Sequence, residues 1–183
     1  MFDRFRATLR YRLRGYSDPS RLVRDGLVLG RNVYLAPGVV IDPYHCWLVS
    51  IGDNTTLAPD VYVLAHDAST KRGLGYTKIG QVTVGSGVFI GSGSLLLPGT
   101  RIGDGSIIAA GSVVRGEIPA GALAGGNPVK VIGQAGDYLD RQRALLAERP
   151  RFGREYTVWG GVTPERKEEM RRAVAESGGA FIE

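Results

Sequence analysis

The sequence predicts an all-β core wound from six-residue rungs into a coil with flat faces, carrying helical segments at both ends. Three observations lead there. An aliphatic residue recurs every sixth position through about eleven rungs between Leu29 and Pro119; glycine is unusually frequent, at 27 of 183 residues; and the glycines fall at fixed places between the aliphatics, not in a structureless tract. Apolar residues make up 43% and charged residues 22%, the balance of a globular protein with a real core. No run of about 18 apolar residues is present, which excludes a spanning helix.

The elements follow in order. Residues 2–14 predict a helix, with Phe2, Phe5, Leu9 and Leu13 at three- and four-residue spacing beneath a set of arginines. Residues 1–24 hold seven arginines against Asp3 and Asp18, and this segment accounts for the whole net charge of +5. Such an end presents a solvated helix face, or could touch an anionic membrane surface or nucleic acid. The near-neutral remainder argues against a nucleic-acid-binding body. The start lacks the continuous apolar stretch of a secretory signal, and the lone Cys46 cannot form an internal disulfide, so the expected location is the cytoplasm.

The rungs begin with LGRNVY at Leu29, LAPGVV at Leu35 and IDPYHC at Ile41. A four-residue offset at Trp47–Ser50 follows, and the repeat resumes with IGDNTT at Ile51 and LAPDVY at Leu57. From Val84 it runs VGSGVF, IGSGSL, LLPGTR, IGDGSI, IAAGSV, VRGEIP. A period of six is neither the 3.6 of a helix nor the 2 of a plain amphipathic strand. It describes a short extended face followed by a tight corner. The first aliphatic points inward, the small second residue lets the chain turn, and a Gly or Asn two places further tolerates positive φ. Three faces would use eighteen residues per coil and build a triangular prism, with coils stacked at strand spacing of about 4.8 Å.

Between VLAHDA (63–68) and Val84 the register is lost, and STKRGLGYTKIGQVT reads as a loop thrown out of the prism wall, centred on 68–78. His66 stands immediately before it. An imidazole with an ordinary pKa of about 6.5 can take a proton from a hydroxyl near neutral pH. Asp67 could orient an imidazole or bind an acceptor hydroxyl, although adjacent side chains on an extended strand point to opposite faces. His45 is expected to be structural or at the rim of an acceptor site. No metal is expected, because two histidines in the whole chain are too few for a three-histidine zinc site. Cys46 has no activating partner in sequence and is not expected to be a nucleophile.

After Ile132, DYLDRQRALLAE (137–148) predicts a helix. TPERKEEMRRAVAES predicts another, with Thr163 at the N-cap and Pro164 at N1. Trp159 lies in the loop between them. The predicted organisation is a basic helical segment over 1–28, the β-coil over 29–133 and a helical extension over 134–183. The ends are expected to cover strand edges that an open coil would expose.

The rung [Ile/Leu/Val]-Gly-x-x-[Ser/Thr/Val]-x, and the stretch IGSGSLLLPGTRIGDGSIIAAGSVVRGEIPAGALAGGNPVKVIG (90–133), resemble the hexapeptide-repeat acyltransferases. The similarity is to the sugar O-acetyltransferase branch, with maltose, galactoside and capsular polysaccharide acetyltransferases, over roughly 29–133. The resemblance implies a left-handed parallel β-helix, acetyl-CoA as acyl donor, and a homotrimer with active sites at subunit boundaries. It implies His66 as general base and Asp42, with Asp67, on the acceptor side. Ser92 and Ala110 match positions that contact pantetheine through backbone groups, the N–H near Ser92 being the candidate oxyanion donor. Lys130 matches a basic residue on the nucleotide. Arg115 would reach the 3′-phosphate, but Val114-Arg115-Gly116-Glu117 displaces the basic residue by one from the family text. The implied reaction is O-acetylation of a sugar hydroxyl. N-acetylation of an amino sugar or nucleotide-sugar is the alternative within enzymes, and a non-catalytic scaffold is what the rungs alone equally permit.

Overall fold

A computed structural model describes residues 18–183 of the chain. The predicted helix over 2–14 and its five arginines lie outside the described residues. Helix α1 (Pro19–Arg24) opens the described part, with Asp18 at its N-cap accepting from Ser20 N–H at 2.9 Å. Arg21 and Arg24 are exposed on it, while Leu22 turns into the core.

Strands then come three to a coil. The first coil is β1 (Val28–Leu29), β2 (Tyr34–Leu35) and β3 (Val40–Ile41). A single 3₁₀ turn, Cys46–Leu48, leads into the second: β4 (Val49–Ile51), β5 (Thr56–Leu57) and β6 (Tyr62–Val63). An excursion follows, carrying β7 (His66–Asp67), α2 (Lys71–Leu74) and β8 (Lys78–Ile79). The third coil is β9 (Val82–Val84), β10 (Phe89–Ile90) and β11 (Leu95–Leu96); the fourth is β12 (Arg101–Ile102), β13 (Ile107–Ile108) and β14 (Val113–Val114). An incomplete fifth holds β15 (Glu117–Ile118) and β16 (Ala122–Gly125), against which β17 (Lys130–Gln134) returns antiparallel. Three parallel walls result: β1-β4-β9-β12-β15, β2-β5-β10-β13-β16, and β3-β6-β11-β14.

The pairing carries the arithmetic of the repeat. Phe89 pairs with Ile107, one eighteen-residue coil on. Val28 pairs with Ser50, longer than one coil by the four residues of the offset. Ile51 pairs with Val84, longer by the fifteen residues of the excursion. The last rung, VRGEIP, is cut short: Arg101 pairs with Glu117 because Arg115–Gly116 turn the corner in two residues, Gly116 at φ 81°.

The first-position aliphatics from Ile41 to Ile118 are at most 3% exposed and stack along the axis. Burying each contributes about 1.5–3 kcal/mol. The fifth position is also interior, which the period did not reveal: Thr55, Ser94, Thr100, Ser106 and Ser112 are at most 1% exposed. Their hydroxyls donate to corner carbonyls, as in Thr100 to Val114 O at 2.9 Å and Ser106 to Pro119 O at 2.8 Å, so a polar residue costs little there. The second position is small because coils touch: a Cβ on Gly91 would lie 2.4 Å from the backbone N of Ala110.

The region expected to be a loop is an ordered antiparallel pair, His66 against Ile79 and Asp67 against Lys78, with α2 at its tip. Two-residue strands are too short to show a periodic signal.

Residues Gly136–Glu183 form a second compact unit. Helix α3 (Ala135–Glu148) leads into it. Within it, β18 (Arg151–Phe152) and β19 (Phe181–Ile182) pair in parallel across α4 (Pro164–Ser177). Thr163 caps α4 through its side chain, Pro164 starts it, and Gly178 at φ 69° ends it. Phe152 packs on Tyr156 with centroids 4.8 Å apart, and the Tyr156 hydroxyl donates to Glu169 at 2.7 Å. Among the described residues no helix is long and apolar enough to cross a membrane.

Candidate functional site

Two breaks in the repeat meet at one corner of the prism. Ile41 pairs with Val63, so Asp42, just after β3, lies beneath Leu64 and Ala65, just after β6. The chain leaves the wall there, and the next residue is His66. Asp42 fills a second position of the repeat, where most rungs carry Gly or Ala, and its side chain is fully buried. Its Oδ1 accepts from the backbone N–H of Tyr44 (2.9 Å) and His45 (3.0 Å), the Asx geometry by which an Asp after a strand closes a turn. Its Oδ2 accepts from Ala65 N–H (2.9 Å) and pairs with His66 Nδ1 (2.5 Å).

Burial by itself would raise the Asp42 pKa. The bonds from His66, Tyr44 N–H and Ala65 N–H outweigh it and hold the carboxyl below the ordinary carboxylate range. The carboxylate is therefore ionised at neutral pH and calls for a donor on Nδ1. That places the ring proton on Nδ1 and leaves the lone pair on Nε2. His66 is 27% exposed at its side chain, enough to present an edge to a solute. The arrangement is an imidazole oriented by a buried carboxylate, suited to take a proton.

Three further rings stand in line with it. Tyr44 meets His66 edge to face at 6.0 Å, His45 lies 5.2 Å from His66, and Trp47 lies 5.5 Å from His45. Tyr44 and Trp47 are exposed. His45 Nδ1 is buried, 3.8 Å from Asp42 Oδ1, and has no hydrogen-bond partner among the described residues. Asp42, His45 and His66 each bring one metal-ligating atom to within 4.8 Å of the others. The third of these atoms comes from a carboxylate and not from a histidine.

One assignment needs correction. Asp42 was expected to bind an acceptor, but with no exposed surface and both oxygens engaged it orients His66 instead. Asp67, expected to be structural or on the acceptor side, bonds Lys78 Nζ at 2.7 Å and accepts from Ser69 N–H at 2.9 Å, with its side chain still 37% exposed. The Lys78 ammonium, with the Ser69 bonds, holds its carboxyl far below the ordinary range. Cys46 is fully buried and its thiol donates toward Leu22 O and Asp25 O at 3.6 Å each; burial pushes its pKa up. Tyr44 and Trp47 were not singled out in sequence. The available signal was two aromatics within IDPYHCW, at the entry to the register offset.

The remaining candidates divide between two corners. Ser92 and Ala110 are exposed in the turns after β10 and β13 and stack directly, Gly111 N–H donating to Ser92 O at 2.8 Å. Lys130 is exposed on β17 opposite Gly125, at the end of the same wall. Arg115 is exposed after β14, on the other corner, the one that carries Asp42 and His66. The fold thus brings Asp42, His66 and Arg115 to one corner and Ser92 and Ala110 to the next.

Comparison with known proteins agrees with this architecture. Residues 77–116 match the family described as bacterial transferase hexapeptide (six repeats). The chain is similar to YvoF of Bacillus subtilis (strain 168), which carries a provisional acetyltransferase name, at 38% identity over 57% of this chain and 58% of that one. Among solved structures it is similar to a maltose O-acetyltransferase from Clostridium difficile 630, with 32% identity, a TM-score of 0.51, and coverage of 60% of this chain and 59% of that one. A polySia-specific acetyltransferase, NeuO, gives 26% identity and a TM-score of 0.51 over 59% of this chain and 51% of that one. The chain therefore spans between half and three-fifths of the length of these relatives. The resemblance to hexapeptide-repeat acetyltransferases holds, and the core is their left-handed parallel β-helix with helices at the ends.

Proposed function

We propose that this chain is an acetyl-CoA-dependent acyltransferase that moves an acetyl group onto a hydroxyl of a sugar or sugar-containing acceptor, with His66 as general base. The observation that carries the reading is the buried Asp42 carboxylate on His66 Nδ1, which leaves a basic Nε2 at an exposed edge. The names of the relatives support the class of reaction, and the maltose and polysialic acid enzymes among them support a sugar acceptor.

In this reading Nε2 takes the hydroxyl proton as the acceptor oxygen attacks the thioester carbonyl, with no acyl-enzyme. Asp42 stabilises the imidazolium that forms. Collapse of the tetrahedral adduct breaks the C–S bond, and the imidazolium returns the proton to the departing CoA sulfur. Backbone N–H groups at the Ser92 corner serve the oxyanion, and the small residues there let pantetheine approach the main chain. His66 and Ser92 lie on different corners of one prism, so we assign the site to the groove between two copies in a homotrimer. Lys130 and Arg115 supply cations for the phosphates. The free Cys46 fits a reducing compartment, and we place the protein in the cytoplasm.

The test is thiol release from acetyl-CoA against a panel of saccharides, amino sugars and nucleotide-sugars. Replacing His66 with Ala is expected to lower turnover by about 10²–10⁴-fold while calorimetry still detects acetyl-CoA. Unchanged turnover refutes the base assignment, an amide product moves the reading to N-acetylation, and no heat with acetyl-CoA favours the scaffold.

A further inference from the structure

We propose that Asp42, His45 and His66 form a binding site for a zinc-class divalent cation, and that the cation switches off the base by taking His66 Nδ1. The inference rests on the base reading above for its effect on turnover, though not for the site itself. Two imidazoles and a carboxylate are a borderline-soft set, suited to Zn²⁺, Co²⁺ or Ni²⁺ and poorly suited to Mg²⁺ or Ca²⁺. The three ligating atoms lie within 4.8 Å of one another, and His45 Nδ1 is buried beside the carboxylate without a hydrogen-bond partner among the described residues. A buried ring nitrogen so placed has a lone pair or a proton with nothing to meet it.

The geometry is close to what a tetrahedral ion needs. Metal–nitrogen and metal–oxygen distances of about 2.0–2.2 Å place neighbouring ligand atoms roughly 3.4 Å apart. Here Asp42 Oδ2 lies 2.5 Å from His66 Nδ1, its Oδ1 lies 3.8 Å from His45 Nδ1, and the three ligating atoms are all within 4.8 Å of one another. An ion entering among them requires the short Oδ2–His66 gap to open and the wider separations to close, each by under about 1.5 Å of side-chain rotation. Asp42 gives up one bond, that from His66. The Tyr44, His45 and Ala65 N–H groups stay on its oxygens and hold the ligand carboxylate from behind.

The effect on the base follows from proton bookkeeping. Without the ion the single ring proton of neutral His66 sits on Nδ1 and Nε2 holds the lone pair. With the ion on Nδ1 that proton moves to Nε2, no proton is gained or lost, and the nitrogen that should accept from a hydroxyl becomes a donor. His45 is what turns an orienting pair into a chelate. A second imidazole 5.2 Å away, with its Nδ1 turned inward, has no part in the proposed proton transfer.

The experiment titrates the metal-stripped full-length protein with Co²⁺, reading visible absorption, and separately adds Zn²⁺ during thiol release. One equivalent of Co²⁺ per chain should give the intense bands of a four-coordinate ion, displaced by Zn²⁺. Micromolar Zn²⁺ should reduce turnover at least tenfold, reversed by chelator. His45→Gln, near in volume and checked for fold by circular dichroism, should lose the bands and raise the Zn²⁺ midpoint by about 100-fold or more, measured against its own metal-free rate. Absence of Co²⁺ bands overturns the site, as does a His45→Gln protein that keeps them. Bands without any thiol release leave the cation site standing and defeat the acetyl-transfer reading instead; thiol release without bands does the reverse.

Discussion

Replacing Asp42 with Asn separates the role of the carboxylate from that of the imidazole. The change is nearly isosteric at a fully buried position, so its consequences follow from hydrogen-bond polarity. The amide can keep its carbonyl oxygen toward Tyr44 and His45 N–H, in which case its NH₂ faces Ala65 N–H and His66 Nδ1. The opposite flip sets NH₂ against two backbone donors and is worse. In the better orientation one buried N–H, that of Ala65, loses its acceptor, at a cost of about 1–3 kcal/mol. For a protein of this size each kcal/mol lowers Tm by about 2–4 °C. His66 must then accept on Nδ1 and carry its proton on Nε2, which disables the base, and turnover should fall by about 10²–10⁴-fold. Two assays read the two effects apart: thermal or denaturant unfolding for the lost bond, and thiol release from acetyl-CoA for the tautomer. An Asp42→Asn protein of lowered Tm that turns over within threefold of the parent would refute the orienting role. One of unchanged Tm would refute the buried four-donor geometry itself.

Other expectations can be checked by denaturant unfolding. Gly91→Ala places a Cβ against the Ala110 backbone and should destabilise by about 1–3 kcal/mol, whereas Gly73→Ala, inside α2 with open space around it, should be neutral or stabilise by up to about 1 kcal/mol. Asp53 accepts from Arg31 N–H at 2.8 Å and pairs with its guanidinium at 2.7 Å, and that N–H first, then the guanidinium, hold its carboxyl below the ordinary value. Because the folded pKa is the lower one, the stabilisation is complete above the unfolded value of about 3.9 and is lost as pH falls through the folded value. Asp53→Asn should therefore be less stable than the parent at pH 7, with the gap closing as unfolding is measured in progressively stronger acid.

The six-residue period was legible from the chain alone because it is a repeated local requirement. Ile90, Ile102 and Ile108 must each face the same axis, and each corner after them needs a residue at positive φ, as at Gly93, Gly105 and Gly111. The same regularity makes its interruptions visible, so the offset at Trp47–Ser50 and the loss of register after VLAHDA (63–68) are legible in the chain itself. What the interruptions bring together was not legible. Asp42 and His66 are twenty-four residues apart, and their contact exists only because four extra residues in one coil and fifteen in the next leave both at the same corner. The burial that turned Asp42 from an acceptor contact into an orienting group, and the Lys78 pairing that occupied Asp67, depend on which side of a wall each carboxylate faces. The same holds for the division of Ser92 and Arg115 between two corners. Side-chain period is a property of neighbours along the chain, whereas a site is a property of coils stacked in space, and only stacking fixes which distant residues share a corner.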